Sequence, residues 1–163
     1  MPFTSPLIVQ QLSSREWILV APLSYQGSVD HFTVPEGEVT DFATVPNWLQ
    51  SLVQSTGTWT LAAVIHDWMC RALAAGNCIV TSSQADGIFR RIMREEGVGP
   101  VRRWAMWAAV RWAALVNRHR RPGWLNWRDT PAVLAISAAV LAAVAVAAIG
   151  IHMLVDLALE ALL

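Results

Sequence analysis

The sequence predicts an α+β fold: a small N-terminal antiparallel sheet packed with a helical segment, followed by a C-terminal transmembrane helix. Three observations carry this expectation. Short runs rich in strand formers, separated by turn residues, fill the chain up to Phe42. Apolar residues at helical spacing, punctuated by glycine, run from Trp59 to His119. The end of the chain is almost wholly Ala, Val, Leu and Ile.

The strand candidates are residues 7–12 (LIVQQL), 16–20 (EWILV) and 29–34 (VDHFTV), with a return segment from Val39 to Phe42. A polar connection separates the first two, and Pro22 closes the second. Pro35-Glu36-Gly37 supplies a turn, because proline fixes φ and glycine eases the exit.

Helical signals follow. Thr44-Val45-Pro46 suits the start of a short helix that ends before Ser55, with proline at an early position where its missing donor costs nothing. Thr58 can cap a helix over 59–75 that stops at Gly76-Asn77. Ala62, Ile65, Met69 and Leu73 line one face of it, with His66 alongside. Ser83-Gln84-Ala85-Asp86 has the form of a capping box opening a helix over 84–96, which buries Ile88, Phe89 and Ile92 or Met93 and ends at Gly97. A last helix over 100–119 carries a broad aromatic stripe of Trp104, Trp107/Ala108, Arg111/Trp112 and Leu115, the composition of a core face more than of a binding platform.

The C-terminal run is the firmest element. Between Asp129 and Asp156 stand 26 residues without a formal charge. As a helix they reach about 39 Å, enough to cross a bilayer core of roughly 30 Å. The expected organisation is therefore a globular domain over 1–119, a Trp/Arg-rich juxtamembrane connector over 120–131, a transmembrane helix over 132–155 and a short tail over 156–163. The start of the chain has no basic segment and no long apolar core, so it does not read as a signal peptide.

Net charge is zero, which conceals an asymmetry. All twelve basic residues are arginine. Ten lie between Arg90 and Arg128 against Glu95 and Glu96, a local excess of about +8. Beside an apolar span, such a block reads as a membrane-surface feature in preference to a nucleic-acid site. Trp124, Trp127 and Arg118, Arg120, Arg121 and Arg128 flank one end of the span, whereas only Asp156 and Glu160 follow it. The positive-inside rule then gives a single-pass protein of the bacterial inner membrane with a cytoplasmic N-terminal domain. The expected partners are the lipid bilayer, a phage structural or host envelope protein, and a second copy paired through small faces at Ala138, Ala142 and Ala145–Ala148. Cys70 and Cys78 match no common metal spacing, and no secretory context supports a disulfide.

Four polar residues stand in apolar surroundings: Asp41, His66, Asp67 and Asp86. Imidazole with carboxylates can hold a divalent metal such as zinc or manganese and lower the pKa of its water. All four are candidate ligands, and His66, Asp67 and Asp41 are the candidate catalytic groups. Without metal, His66 would be an acid–base group oriented by a carboxylate. The structural alternatives are equally concrete: Asp86 as a helix cap, Asp41 as a loop brace, His66 as a satisfied semi-buried histidine. Neighbours on a helix point about 100° apart, so His66 and Asp67 share a cleft only if it is broad. The order His31…His66-Asp67…Asp86 matches that of HD-type phosphohydrolases, but those are all-helical and His31 sits in a strand-like segment.

Read together, Phe32-Thr33-Val34-Pro35-Glu36-Gly37, Thr40-Asp41-Phe42-Ala43-Thr44-Val45-Pro46, Ala62-Ala63-Val64-Ile65-His66-Asp67-Trp68, Ala85-Asp86 with Phe89, and the stretch from Arg102 to Arg111 resemble the DUF1353 family, small proteins found mainly in tailed bacteriophages and prophages. The resemblance spans roughly residues 5–115; the anchor lies outside it. It implies a phage-related origin and singles out the same four residues. It implies no settled activity, which leaves two readings: a membrane-anchored protein with a metal-assisted hydrolase-like site, or a non-catalytic morphogenesis, lysis or host-interaction factor.

Overall fold

Five short strands and four helices make up the described part of a computed structural model, which covers residues 2–14, 16–42, 57–77, 79–121 and 130–160. The chain divides into two compact units, Met1–Trp124 and Leu125–Leu163. The short helix expected to begin at Thr44 lies outside the described residues, as do Cys78, Trp124, Trp127 and Arg128.

The strands are β1 (Val9–Gln11), β2 (Trp17–Leu19), β3 (Leu23–Gln26), β4 (His31–Val34) and β5 (Val39–Thr40). They form two small antiparallel sheets where the sequence suggested one. The first has the order β1-β2-β5, with Val9 opposite Leu19 and Trp17 opposite Thr40. The second is the β3–β4 hairpin, pairing Leu23 with Val34 and Tyr25 with Phe32. Strand β3 is the element the sequence reading missed. Its alternation is real, since Leu23 and Tyr25 point inward and are buried, but four residues after a proline give too short a period-2 signal. Gly37 takes φ +83° in the turn after β4, as the Pro-Glu-Gly sequence anticipates.

Helix α1 (Thr60–Ala74) packs on α2 (Ser82–Glu95), and α2 packs on α3 (Pro100–Val116). Glycine ends the first two as expected. Gly76 (φ +81°) closes α1 with Asn77 N–H donating to Ala72 O at 2.9 Å, and Gly97 (φ +79°) closes α2 with Val98 N–H donating to Met93 O at 2.8 Å. The helix starts differ from expectation. No side chain caps α1. The capping box of α2 is Thr81 with Gln84, not Ser83 with Asp86: Gln84 N–H donates to Thr81 Oγ1 at 3.2 Å, and Thr81 N–H donates to Gln84 Oε1 at 2.8 Å. Starting the helix two residues earlier moves Asp86 off the cap and into the interior. Ile88, Phe89, Ile92 and Met93 are all buried, as the apolar spacing requires. The tryptophan stripe of α3 is split. Trp107 is core, Trp104 is half-buried against it edge-on, and Trp112 is exposed.

The hairpin is tied to α2 by polar contacts. Tyr25 Oη donates to Glu95 Oε2 at 2.6 Å, Ser28 Oγ donates to Glu95 Oε1 at 2.7 Å, and Arg91 pairs with Asp30. Burial would raise the Glu95 carboxyl, but the donors Tyr25 and Ser28 hold it below its usual range. The same burial, with Glu95 alongside, pushes the Tyr25 hydroxyl well up.

In the second unit, α4 (Thr130–Glu160) is a 31-residue helix. Its segment Thr130–Leu154 is long and apolar enough to cross a membrane. Ser137 Oγ donates to Val133 O at 2.8 Å, which satisfies the hydroxyl within the helix itself.

Gly27 allows the hairpin tie. A Cβ there would sit 2.0 Å from Tyr25 Oη and 2.8 Å from Glu95 Oε2. The ring is rigid, so the tie must break or the turn must shift. Gly27→Ala is expected to cost about 1–3 kcal/mol, read as a lower urea midpoint.

Candidate functional site

Helix α1 turns His66 and Asp67 in different directions, as adjacent helical positions must. His66 faces α2 and is buried, whereas Asp67 faces β5 and is half-buried. The four polar residues therefore form two separate pairs instead of one cluster.

The first pair is His66 with Asp86. Asp86 is 0% exposed. Its Oδ1 lies 2.7 Å from His66 Nε2 and also accepts from Arg120, while its Oδ2 accepts from Arg111 Nη1 at 3.1 Å. Arg120 Nε also donates to Ser82 Oγ at 3.3 Å. Arg111 and Arg120 are buried. Burial would raise the Asp86 carboxyl, but the His66 hydrogen bond and the surrounding cations hold it below the usual carboxylate range. Burial likewise opposes charge on His66, yet the bond to Asp86, helped by Cys70 Sγ 3.6 Å from Nε2, pushes its pKa up to about 10. At neutral pH His66 is then an imidazolium clamped to a carboxylate.

The second pair is Asp67 with Asp41. Thr40 Oγ1 donates to Asp67 Oδ2 at 2.6 Å. Burial and the neighbouring Asp41 carboxylate, which also hydrogen-bonds Asp67, raise the Asp67 pKa to about 6; the Thr40 donor and His66 charge oppose this only in part. The next residue, Phe42, has φ +56°, a left-handed conformation that is an outlier for a bulky side chain. Phe42 N–H donates to Thr40 Oγ1 at 3.1 Å, so one hydroxyl both stabilises the strained backbone and orients the carboxylate.

Among the described residues no group of three or more His, Cys, Asp or Glu is placed to hold a metal ion. Around Asp86 the donors are already committed, and two guanidinium groups oppose a further cation. His31 opens β4 and is exposed. Arg111, on the tryptophan stripe, and Arg120, in the cluster that precedes the apolar span, are both buried partners of Asp86, a role their sequence positions do not suggest. The usable signal was Arg111 itself, a permanent charge inside the apolar run AMWAAVRWAALV, which demands a buried partner. Arg118 and Arg121 remain exposed.

Removing the shared carboxylate leaves two buried guanidinium groups and an imidazolium without an anion. Asp86→Ala is expected to cost about 3–5 kcal/mol, measured as loss of the cooperative thermal transition at growth temperature. A loss under 1 kcal/mol would contradict this account.

Neither the curated proteins nor the solved structures include a match to this chain. A family profile does match, over residues 17–110, which takes in β2 through most of α3 and all four polar residues. The chain belongs to the family described as protein of unknown function (DUF1353).

Proposed function

We propose that this is a membrane-tethered, phage-related protein whose domain performs hydrolase-like acid–base chemistry with Asp67 and Asp41. The observation that carries the reading is the half-buried carboxylate pair at the α1–β5 seam. One member has its pKa raised to about 6. Two adjacent carboxyls divide into a proton donor and an ionised partner, which is the working arrangement of general acid–base sites. The strained Phe42 backbone beside them fits a functional position better than a purely structural one. His66 serves from behind: its link to Asp86 fixes the α1 register that aims Asp67 at Asp41.

The protein works, on this reading, at the cytoplasmic face of the bacterial inner membrane. The apolar helix α4 and the exposed Arg118 and Arg121 that precede it support the orientation. Protease added outside spheroplasts should spare the domain, and protease added to inverted vesicles should digest it; the reverse pattern would overturn the assignment.

The chemical test uses the full chain in detergent against carboxyl ester, phosphate ester and peptide amide substrates. Hydrolysis should fall as pH rises above about 6, and Asp67→Asn should lower it by about 100-fold or more. Equal rates in wild type and variant would sink the proposal. Stoichiometric zinc or manganese binding that Asp67→Asn removes would assign the metal-assisted form. The rival reading, a non-catalytic morphogenesis, lysis or host-interaction factor, draws on the exposed Val101, Trp112 and Val116 along α3. It is favoured if no substrate class is cleaved.

The same variant should be more stable than wild type. Asp67 ionises near pH 3.8 unfolded and about 6 folded. The stability it lends is full below the first value and lost as pH rises through the second. Asparagine does not titrate, so Asp67→Asn should gain ~1–2 kcal/mol above pH 6 after allowance for partial exposure. The gain should vanish below about pH 4, as urea titrations at the two extremes would reveal.

A further inference from the structure

A groove of about 680 Å³ lies between the β3–β4 hairpin, α2 and α3, and shares no residue with either carboxylate pair. Four arginines line it: Arg90, Arg91 and Arg94 from α2, and Arg103 from α3. Its one carboxylate, Asp30, is already paired with Arg91. The lining therefore holds three more cationic than anionic side chains.

Two features show that this arrangement is not optimised for the empty fold. Arg90 and Arg94 stand at i and i+4, with Arg91 and Arg94 at i and i+3, spacings at which like charges disfavour a helix. Gly87, in the interior of the same helix, also lines the groove, and a Cβ built there would meet nothing within 4 Å. Alanine would fit and would favour the helix. Glycine at such a place leaves the groove floor open and lets a ligand approach the backbone. The walls add directionality. The Arg90 guanidinium is stacked 4.0 Å over the Trp104 ring, which preorganises it. Phe32, Val80 and Ile88 add apolar surface to the lining.

We propose that this groove binds a phosphate ester, its phosphate held by Arg94, Arg103 and the stacked Arg90, and its organic portion against the apolar lining. Guanidinium groups suit phosphate because their planar N–H forks match its oxygens. The ester can be a free nucleotide-like molecule or the headgroup of an anionic phospholipid; both present the same chemistry to the arginines.

The test uses the full chain in phosphatidylcholine nanodiscs. Calorimetry with adenosine monophosphate reads the free ester, with inorganic phosphate reporting the share owed to the phosphate alone, and the thermal midpoint in discs doped with phosphatidylglycerol reads the headgroup. Binding of the nucleotide, weakened about tenfold or more in an Arg94→Gln/Arg103→Gln variant, supports a free ester. A raised midpoint only in doped discs, lost in the same variant, supports the headgroup. No response in either arm, or a response that the double variant leaves intact, overturns the proposal. Gly87→Ala provides the control for folding: it should raise the midpoint of the empty protein by about 2–4 °C while weakening binding. Undiminished binding by this more stable variant would overturn the part assigned to the open groove floor.

Discussion

The carboxylate of Asp86, closed off from solvent, accepts from His66 on α1, Arg111 on α3 and Arg120 in the turn beyond it. Its two oxygens offer about four lone-pair sites, and these three donors occupy most of them. A single anion of α2 thereby connects α1, α3 and the segment that follows α3. Buried ion pairs are weak sources of net stability, because desolvation offsets much of the attraction. Their effect is directional. Apolar contacts between α1, α2 and α3 tolerate sliding, whereas a carboxylate shared by three donors is satisfied in one register only.

That register has a consequence on a neighbouring face of α1. Once His66 is directed into the helical layer, the helix pitch sends Asp67 toward β5, where Thr40 and Asp41 meet it. The structure thus separates two tasks that the sequence places side by side. The inward residue carries a charge held firmly by a counter-ion. The outward residue has its charge discouraged, with a pKa raised to about 6. A fold that pushes two carboxyls together accepts a stability cost at neutral pH, and the ion network behind them supplies the rigidity to hold them there.

What the sequence disclosed and what it concealed follow from the range of the interactions. The glycine stops at Gly76 and Gly97, the turn at Gly37 and the apolar helix α4 are local or compositional, and each was legible. The α2 start was displaced by two residues because Thr81, Ser82 and Ser83 all have N-cap chemistry, and only the reciprocal Thr81–Gln84 pair distinguishes them. Strand β3 escaped because its pairing with β4 does more to define it than its own four residues do. The four polar residues were identifiable as exceptions in apolar text. Their division into two pairs was not, since it depends on partners 25 and 34 positions from Asp86.

The arginines show the same limit most clearly. A block of ten with no lysine reads as one surface when only charge is counted. In the fold it has at least three uses: Arg111 and Arg120 are counter-ions in the interior, Arg90, Arg91, Arg94 and Arg103 surround a groove, and Arg118 and Arg121 face solvent. Lysine could serve the last use alone with little loss. The first needs a charge that burial does not neutralise, and the second benefits from a planar group that stacks on Trp104. The absence of lysine is thus consistent with geometry more than with net charge, and fewer of these cations face solvent than the sequence count suggests.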